Sequence, residues 1–118
     1  MAIKPFPKEL YKGNSVCTTF STSIEDDGVE QSYIFKVGDV LELGIKEKVK
    51  DDNYILHKKF RVTEETDALQ IYLSPEETKD IPEEENAILE FKLIYNNGAS
   101  AKTVYQKKIK LKGVVIDE

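Results

Sequence analysis

Alternation of apolar and polar residues is the feature of this sequence that most restricts its fold. Between Val40 and Lys46, the apolar residues Leu41, Leu43 and Ile45 occupy every second position. A period of two places successive side chains on opposite faces of a strand, and no window sustains helical spacing beyond a few residues. The same alternation recurs at residues 16–22, 54–62, 69–73, 89–95 and 101–111. The sequence therefore predicts an all-β protein.

Residues 54–62 contain one exception to this alternation. The face expected to be buried carries Tyr54, Leu56, Phe60 and Val62. The face expected to meet solvent carries Ile55, His57, Lys59 and Arg61. Lys58 is then the single polar residue on the inner face.

Turn residues separate the predicted strands. Gly13-Asn14 and Gly38-Asp39 precede alternating segments, and Asn96-Asn97-Gly98 separates two of them. Because Gly, Asn and Asp turn the chain at low cost, we interpret the first two as turns that begin strands and the third as a hairpin turn. Glu25-Asp26-Asp27-Gly28 is expected to form a turn after the first strand at residues 16–22.

One turn of helix is predicted after residue 73. Ser74 can cap a helix, Pro75 suits its first position, and Glu77 completes a capping box. Pro82 ends the segment.

About seven short strands with one helical turn indicate an antiparallel β-sandwich of the immunoglobulin-like kind. We expect a single domain over residues 1–118, since a chain of this length supports one core. The prolines at positions 5 and 7 disfavour both helix and central strand, so residues 1–8 are expected to form an extended N-terminal arm.

The composition argues against nucleic acid and membrane as partners. Seventeen Lys and Arg residues oppose 22 Asp and Glu residues, and the net charge of −5 repels phosphate backbones. No stretch approaches the ~20 apolar residues of a spanning helix, and the N-terminus lacks the apolar run of a signal peptide. We therefore expect synthesis in the cytosol, where a single cysteine stays reduced.

Residues that commonly carry catalysis or bind metals are sparse. The single His57 and the single Cys17 are too few to close a zinc site, and a nucleophilic pair would require a hydrogen bond between them. We expect His57 on a polar surface and Cys17 half-buried at best. Neither Glu25–Gly28 nor Asp51-Asp52-Asn53 has the ligand spacing of a calcium loop. The sequence predicts no catalytic residue, no cofactor and no metal.

The order of several segments resembles a known protein family. They are YKGN at 11–14, EDDG at 25–28, FKVGDVLELGIKE at 35–47, YILHKKF at 54–60 and IYLSPEETKDIP at 71–82. This order is similar to a domain of tailed-phage and prophage structural proteins of Gram-positive hosts, notably the N-terminal domain of upper baseplate proteins. The resemblance covers residues 9–116, although Asn14 stands where the pattern has Asp. It implies an immunoglobulin-type sandwich that acts in virion assembly.

The resemblance, together with the sparse chemistry, predicts a non-enzymatic virion structural or assembly protein of a phage or prophage. The protein would be made in the bacterial host cytoplasm and reside in the virion. Its expected partners are other virion structural proteins or copies of itself in a homo-oligomer. The alternative is a host-interaction or ligand-binding module that uses loops near Asp26, Asp52 or Asn97.

Two oppositely charged segments supply the candidate contact residues: Glu83, Glu84, Glu85, Lys107, Lys108 and Lys110. The acidic segment is interpreted as a connection and the basic one as a strand. On opposite sides of a sandwich, the segments would let copies associate head to tail, and solvated surface is the alternative. Apolar contacts from Ile3, Phe6 or residues 114–116 would have to supply the affinity.

Overall fold

A computed structural model of the chain describes residues 6–48 and 53–113. The prediction of an all-β protein is confirmed, because one short helix accompanies the strands of this part of the chain. The elements are β1 (Glu9–Tyr11), β2 (Val16–Phe20), β3 (Ser23–Asp26), β4 (Val29–Ser32), β5 (Val40–Lys46), β6 (Leu56–Arg61), β7 (Leu69–Leu73), α1 (Pro75–Thr78), β8 (Glu84–Tyr95) and β9 (Ser100–Lys112).

Five strands form a mixed sheet in the order β1-β9-β8-β5-β6. The pairs β5–β6, β5–β8 and β8–β9 are antiparallel, whereas β1 runs parallel to β9 with Leu10 opposite Leu111. Strands β2 and β7 form an antiparallel ribbon, and β3 and β4 form another. Nine strands in the described residues, one of them parallel to its neighbour, correct the expectation of about seven antiparallel strands. The additional strands have three or four residues each, too few for alternation to mark them.

One hydrophobic cluster joins the five-stranded sheet to the β2–β7 ribbon. Its fully buried members include Leu41, Leu43 and Ile45 of β5 and Leu89, Phe91 and Leu93 of β8. The ring of Phe20 on β2 lies 4.5 Å from that of Phe91, between centroids, and Ile71 of β7 is also fully buried. Each such side chain contributes about 1.5–3 kcal/mol on burial. The inner faces predicted for β5, β7 and β8 are therefore confirmed.

Phe6 belongs to this core and not to a free arm. Its side chain is 6% exposed, and its ring meets Phe91 edge-on at a centroid distance of 5.8 Å. The backbone amide of Lys110 also donates to the carbonyl of Lys8. These contacts correct the expected arm over residues 6–8, because burying an aromatic ring outweighs the freedom of an exposed segment. Residues 1–5 and 114–118, including Ile3, lie outside the described residues.

The turn predictions hold with one change of place. Gly13, Gly38 and Gly98 all have positive φ, and Asn96 and Asn97 close the β8–β9 hairpin as expected. The Asp27-Gly28 turn, however, joins β3 to β4. It does not directly follow β2, the strand predicted at residues 16–22, which ends at Phe20. The sequence analysis missed this extra hairpin because residues 23–32 lack a regular apolar period.

The predicted helical turn, α1, fixes the turn that begins β2. Ser74 Oγ accepts from the Glu77 amide at 3.2 Å while Glu77 Oε1 accepts from the Ser74 amide at 2.9 Å, which confirms the capping box. The buried Thr78 hydroxyl donates to the carbonyl of Asn14 at 2.7 Å, and the Gly13 amide donates to the carbonyl of Thr78. Two segments that are far apart in sequence therefore hold each other in place.

Asp39 organises the loop that precedes β5. The residue is 4% exposed, and its Oδ2 accepts hydrogen bonds from the Lys36 amide at 3.0 Å and from the Tyr33 hydroxyl at 2.5 Å. Burial and the hydrogen bond to Asp39 raise the pKa of Tyr33, so the hydroxyl remains a neutral donor. A buried carboxylate with two donors is stable, whereas one that loses a donor is costly.

Tyr33→Phe is expected to lower the free energy of unfolding by about 1–3 kcal/mol, because Asp39 keeps its burial and loses a donor. The control is Tyr95→Phe, which removes a hydroxyl from the half-buried ring beside Tyr33. Urea denaturation at neutral pH measures both variants. Equal losses of stability in the two variants would contradict the role given to the Tyr33 hydroxyl.

Candidate functional site

Five of the six predicted contact residues lie on the paired strands β8 and β9, and Glu83 directly precedes β8. Glu84 is opposite Leu111 in the β8–β9 register, and Lys110 Nζ is 3.8 Å from Glu85 Oε2. Glu84 and Glu85 are strand residues, which corrects their expected place in a connection. Because the two strands pair directly, the acidic and basic groups are neighbours. The arrangement on opposite sides that head-to-tail association required is therefore absent from these strands.

We call the residues Glu83, Glu84, Glu85, Lys107, Lys108 and Lys110 the mixed-charge surface. Within it, Lys110 is paired with Glu85, and Lys107 Nζ lies 3.5 Å from the carbonyl oxygen of Phe6. Lys108 is exposed and forms no ion pair with any residue that the structure describes. Lys108 is consequently the basic member with charge left for a partner, and Glu83 and Glu84 also form no ion pair within the described residues.

His57 lies on the outer face of β6, as predicted. Its ring stacks on Tyr54 at a centroid distance of 4.4 Å and an angle of 15°, and its Nε2 is 3.3 Å from Glu42 Oε1. Tyr54 in turn covers Gly44, where an added Cβ would clash with the Tyr54 ring. This position corrects the expected inner location of Tyr54. The residue precedes the strand, and the missing side chain at Gly44 leaves room for its ring.

Lys59 and Arg61 continue the outer face of β6 beyond His57. Both are exposed, and neither forms an ion pair within the described residues. We call His57, Lys59 and Arg61 the basic row. Since β6 is the last strand of the five-stranded sheet, the edge beside this row has no strand partner in the described part of the chain.

Lys58, the polar residue predicted on the inner face of β6, connects the two sheets. Its Nζ donates to the carbonyl of Tyr72 on β7 and to Glu77 Oε1 of α1, each at 2.8 Å. The ammonium also lies 5.1 Å from the centre of the Phe60 ring. Partial burial raises the pKa of Glu77, but the hydrogen bonds from Lys58 and from the Ser74 amide outweigh it and leave the pKa below its ordinary value.

Cys17 is exposed, which corrects the expectation of a half-buried side chain. On β2 the alternation buries Val16 and Thr18 and turns Cys17 outward. Among the described residues no hydrogen bond joins Cys17 to His57, whose side chain instead contacts Glu42 and Tyr54. The two side chains thus lack the contact that a Cys-His nucleophile requires.

Glu77→Gln is expected to lower the free energy of unfolding at pH 7 by about 0.5–1 kcal/mol, the range for partly solvated ion pairs. Because the folded-state pKa is lowered, this contribution is present above the ordinary pKa of 4.5 and disappears as pH falls through the folded value. Urea titrations from pH 7 to pH 3 test this, with the more exposed Glu76→Gln as control. A constant difference between Glu77→Gln and wild type across that range would contradict the assignment.

Gly44→Ala is expected to destabilise the protein by about 1 kcal/mol, because the new methyl group displaces Tyr54 from His57. In a Tyr54→Ala background the same substitution should become neutral or stabilising by about 0.5–1 kcal/mol, as Gly is a poor strand residue. Thermal unfolding of the four proteins in this cycle provides the measurement. An equal effect of Gly44→Ala in both backgrounds would rule out the clash.

Comparisons with other proteins do not extend this description. In residues 6–48 and 53–113, no three His, Cys, Asp or Glu side chains gather closely enough to hold a metal ion. No helix in the same residues is long and apolar enough to cross a membrane. The chain matches no family model, no curated protein and no solved structure.

Proposed function

We propose that this chain is a non-enzymatic virion structural or assembly protein of a phage or prophage, an immunoglobulin-like sandwich of the tail or baseplate type. The observation that carries the proposal is the resemblance of residues 9–116 to the N-terminal domain of upper baseplate proteins. Its most distinctive segments are Gly38-Asp39 and residues 73–78. Both contain a buried polar residue with hydrogen bonds to a neighbouring segment or turn, Asp39 and Thr78. The resemblance therefore includes positions on which the fold depends.

Protein–protein contact is the activity proposed for the surface of this fold. Strand alternation turns Lys108 and Lys110 of the mixed-charge surface outward beside Glu85, whereas Lys107 lies on the opposite face near Phe6. The exposed lysines and glutamate suit a partner with both signs of charge. Exposed ion pairs contribute only ~0–1 kcal/mol each, so charge sets the orientation of a partner more than its affinity. The partners are other virion structural proteins or further copies of this chain.

Mass spectrometry of purified phage particles from the source culture tests the proposed location. The protein is expected in the particles at a stoichiometry fixed relative to the other structural proteins. Bacterial cytoplasm is the expected place of synthesis before assembly. Absence from particles, together with a strict monomer at high concentration, would contradict the proposal.

Lys107→Glu with Lys108→Glu is expected to weaken association with particles or partner proteins about fivefold, because the half-buried Lys107 and the exposed Lys108 both change sign. Added salt should weaken the wild-type association partially. Cosedimentation at low and high salt measures both effects. Lys92→Glu with Lys102→Glu is the matched control, since these exposed lysines occupy the other end of the same strands. Identical sedimentation of all proteins would identify the mixed-charge surface as solvated surface only.

A further inference from the structure

The hairpin of β3 and β4 has no strand neighbour beyond itself in the described residues. It forms a two-stranded sheet of its own, and all four residues of β4 are exposed. Isolated hairpins of this size are marginally stable in water. Glu25 also lies directly opposite Glu30, and like charges at opposed positions destabilise a strand pair. The hairpin thus has unpaired backbone groups and two opposed carboxylates, neither of which has a cation partner in the described residues, although Glu30 accepts a hydrogen bond from the Ser23 hydroxyl at 2.6 Å.

Strand β6 has a free edge and unpaired cations, which complement the free edge and the carboxylates of the hairpin. It ends the five-stranded sheet, and an unpaired strand edge is a template for pairing with another chain. Beside this edge lies the basic row, in which Lys59 and Arg61 have no ion pair among the described residues. Residues 22–33 contain four acids and no base, whereas β6 contains Lys58, Lys59 and Arg61 and no acid.

Exposed apolar surface is concentrated at the same two places. Five large hydrophobic residues of the described chain are exposed: Val29, Ile34, Val37, Tyr54 and Tyr72. The first three belong to β4 and the loop that follows it. Tyr54 stacks on His57 of β6, and the carbonyl of Tyr72 is bonded by Lys58 of the same strand. Apolar contact at both sites can supply affinity that exposed charge pairs do not.

We propose that β4 of one copy adds to the free edge of β6 in a second copy, which places the Glu25–Glu30 face against the basic row. The inference rests on the proposed assembly function and names one contact within it. Strand addition supplies backbone hydrogen bonds to both edges, and the alternate side chains select the partner. The Glu25 and Glu30 carboxylates then meet cations in place of each other.

The positions of the two strands favour a closed dimer over a chain of copies. The loop after β4 is held beside the end of β6, since Phe35 bridges Thr66 and the Gly38 amide donates to the carbonyl of Val62 at 3.1 Å. The added strand β4 and the strand β6 that receives it therefore lie near the same end of the molecule. Two copies related by a two-fold axis can make both contacts at once, as an isologous interface requires.

Charge exchange between two variants tests the contact. The donor variant is Glu25→Lys with Glu30→Lys, and the acceptor variant is Lys59→Glu with Arg61→Glu. Analytical ultracentrifugation should show a wild-type dimer and, for each variant alone, a dissociation constant at least tenfold higher. An equimolar mixture of the two variants should dimerise within about threefold of wild type, because both contacts again join opposite charges.

The exposed pair Lys12→Glu with Lys102→Glu lies away from β6 and serves as the control, which should dimerise like wild type. Circular dichroism and thermal unfolding verify that each variant is folded, and hydrogen exchange of the β4 amides in the wild type should slow as concentration rises. A wild-type monomer, unaffected variants, or a mixture without rescue would overturn the contact. Oligomers larger than the dimer would overturn its two-fold form. A monomer found in purified particles would remove this contact and leave the proposed function standing. A dimer absent from particles would support the contact and leave the proposed virion location without support.

Discussion

The packing of Phe20 against Phe91 is the contact on which the rest of the structure depends. The inner faces of β5 and β8 are fully buried, and the β2–β7 ribbon and Phe6 pack over the sheet where Phe91 lies. Without that cover, a continuous row of Leu, Ile and Phe would face water at a cost of about 1.5–3 kcal/mol for each side chain. The need to bury these side chains consequently fixes the central strands. The edges and the outer face of the sheet are left free to vary in sequence.

A cover of two strands is narrower than the sheet of five strands beneath it, and the edges show how the chain manages the difference. At the β6 edge, Lys58 extends from the sheet to the Tyr72 carbonyl and to Glu77. Hydrogen bonds from this charged group therefore join the sheet to the ribbon beyond the apolar core. At the other edge of the sheet, the parallel strand β1 extends it beyond β9. The Lys58–Glu77 ion pair fixes the position of the sheet relative to the ribbon but adds little stability, because it remains partly solvated.

Alternation and turn chemistry made the central strands, the Asn96–Gly98 hairpin and the Ser74 capping box predictable, since each depends on neighbouring residues alone. The β1–β9 pair depends on contacts between distant segments, and the β3–β4 hairpin lacks any apolar period. The cover of Gly44 by Tyr54 is a contact of the same distant kind, although a glycine inside a strand is a signal of close approach. The acidic and basic segments were recognisable as charge, but their adjacency followed only from strand pairing.

The mixed-charge surface differs from the β3–β4 hairpin and β6 in how many of its charges are paired within one copy. On the mixed-charge surface, strand pairing brings Lys110 to Glu85, so part of the charge is compensated within one copy. In the β3–β4 hairpin, strand pairing places Glu25 against Glu30. On β6, Lys59 lies opposite Glu42 of β5, but neither Lys59 nor Arg61 forms an ion pair among the described residues. A charge already compensated gains little from a partner, whereas like charges held together gain from any opposite charge that approaches. This difference is the electrostatic reason for proposing the contact between copies at the hairpin and β6.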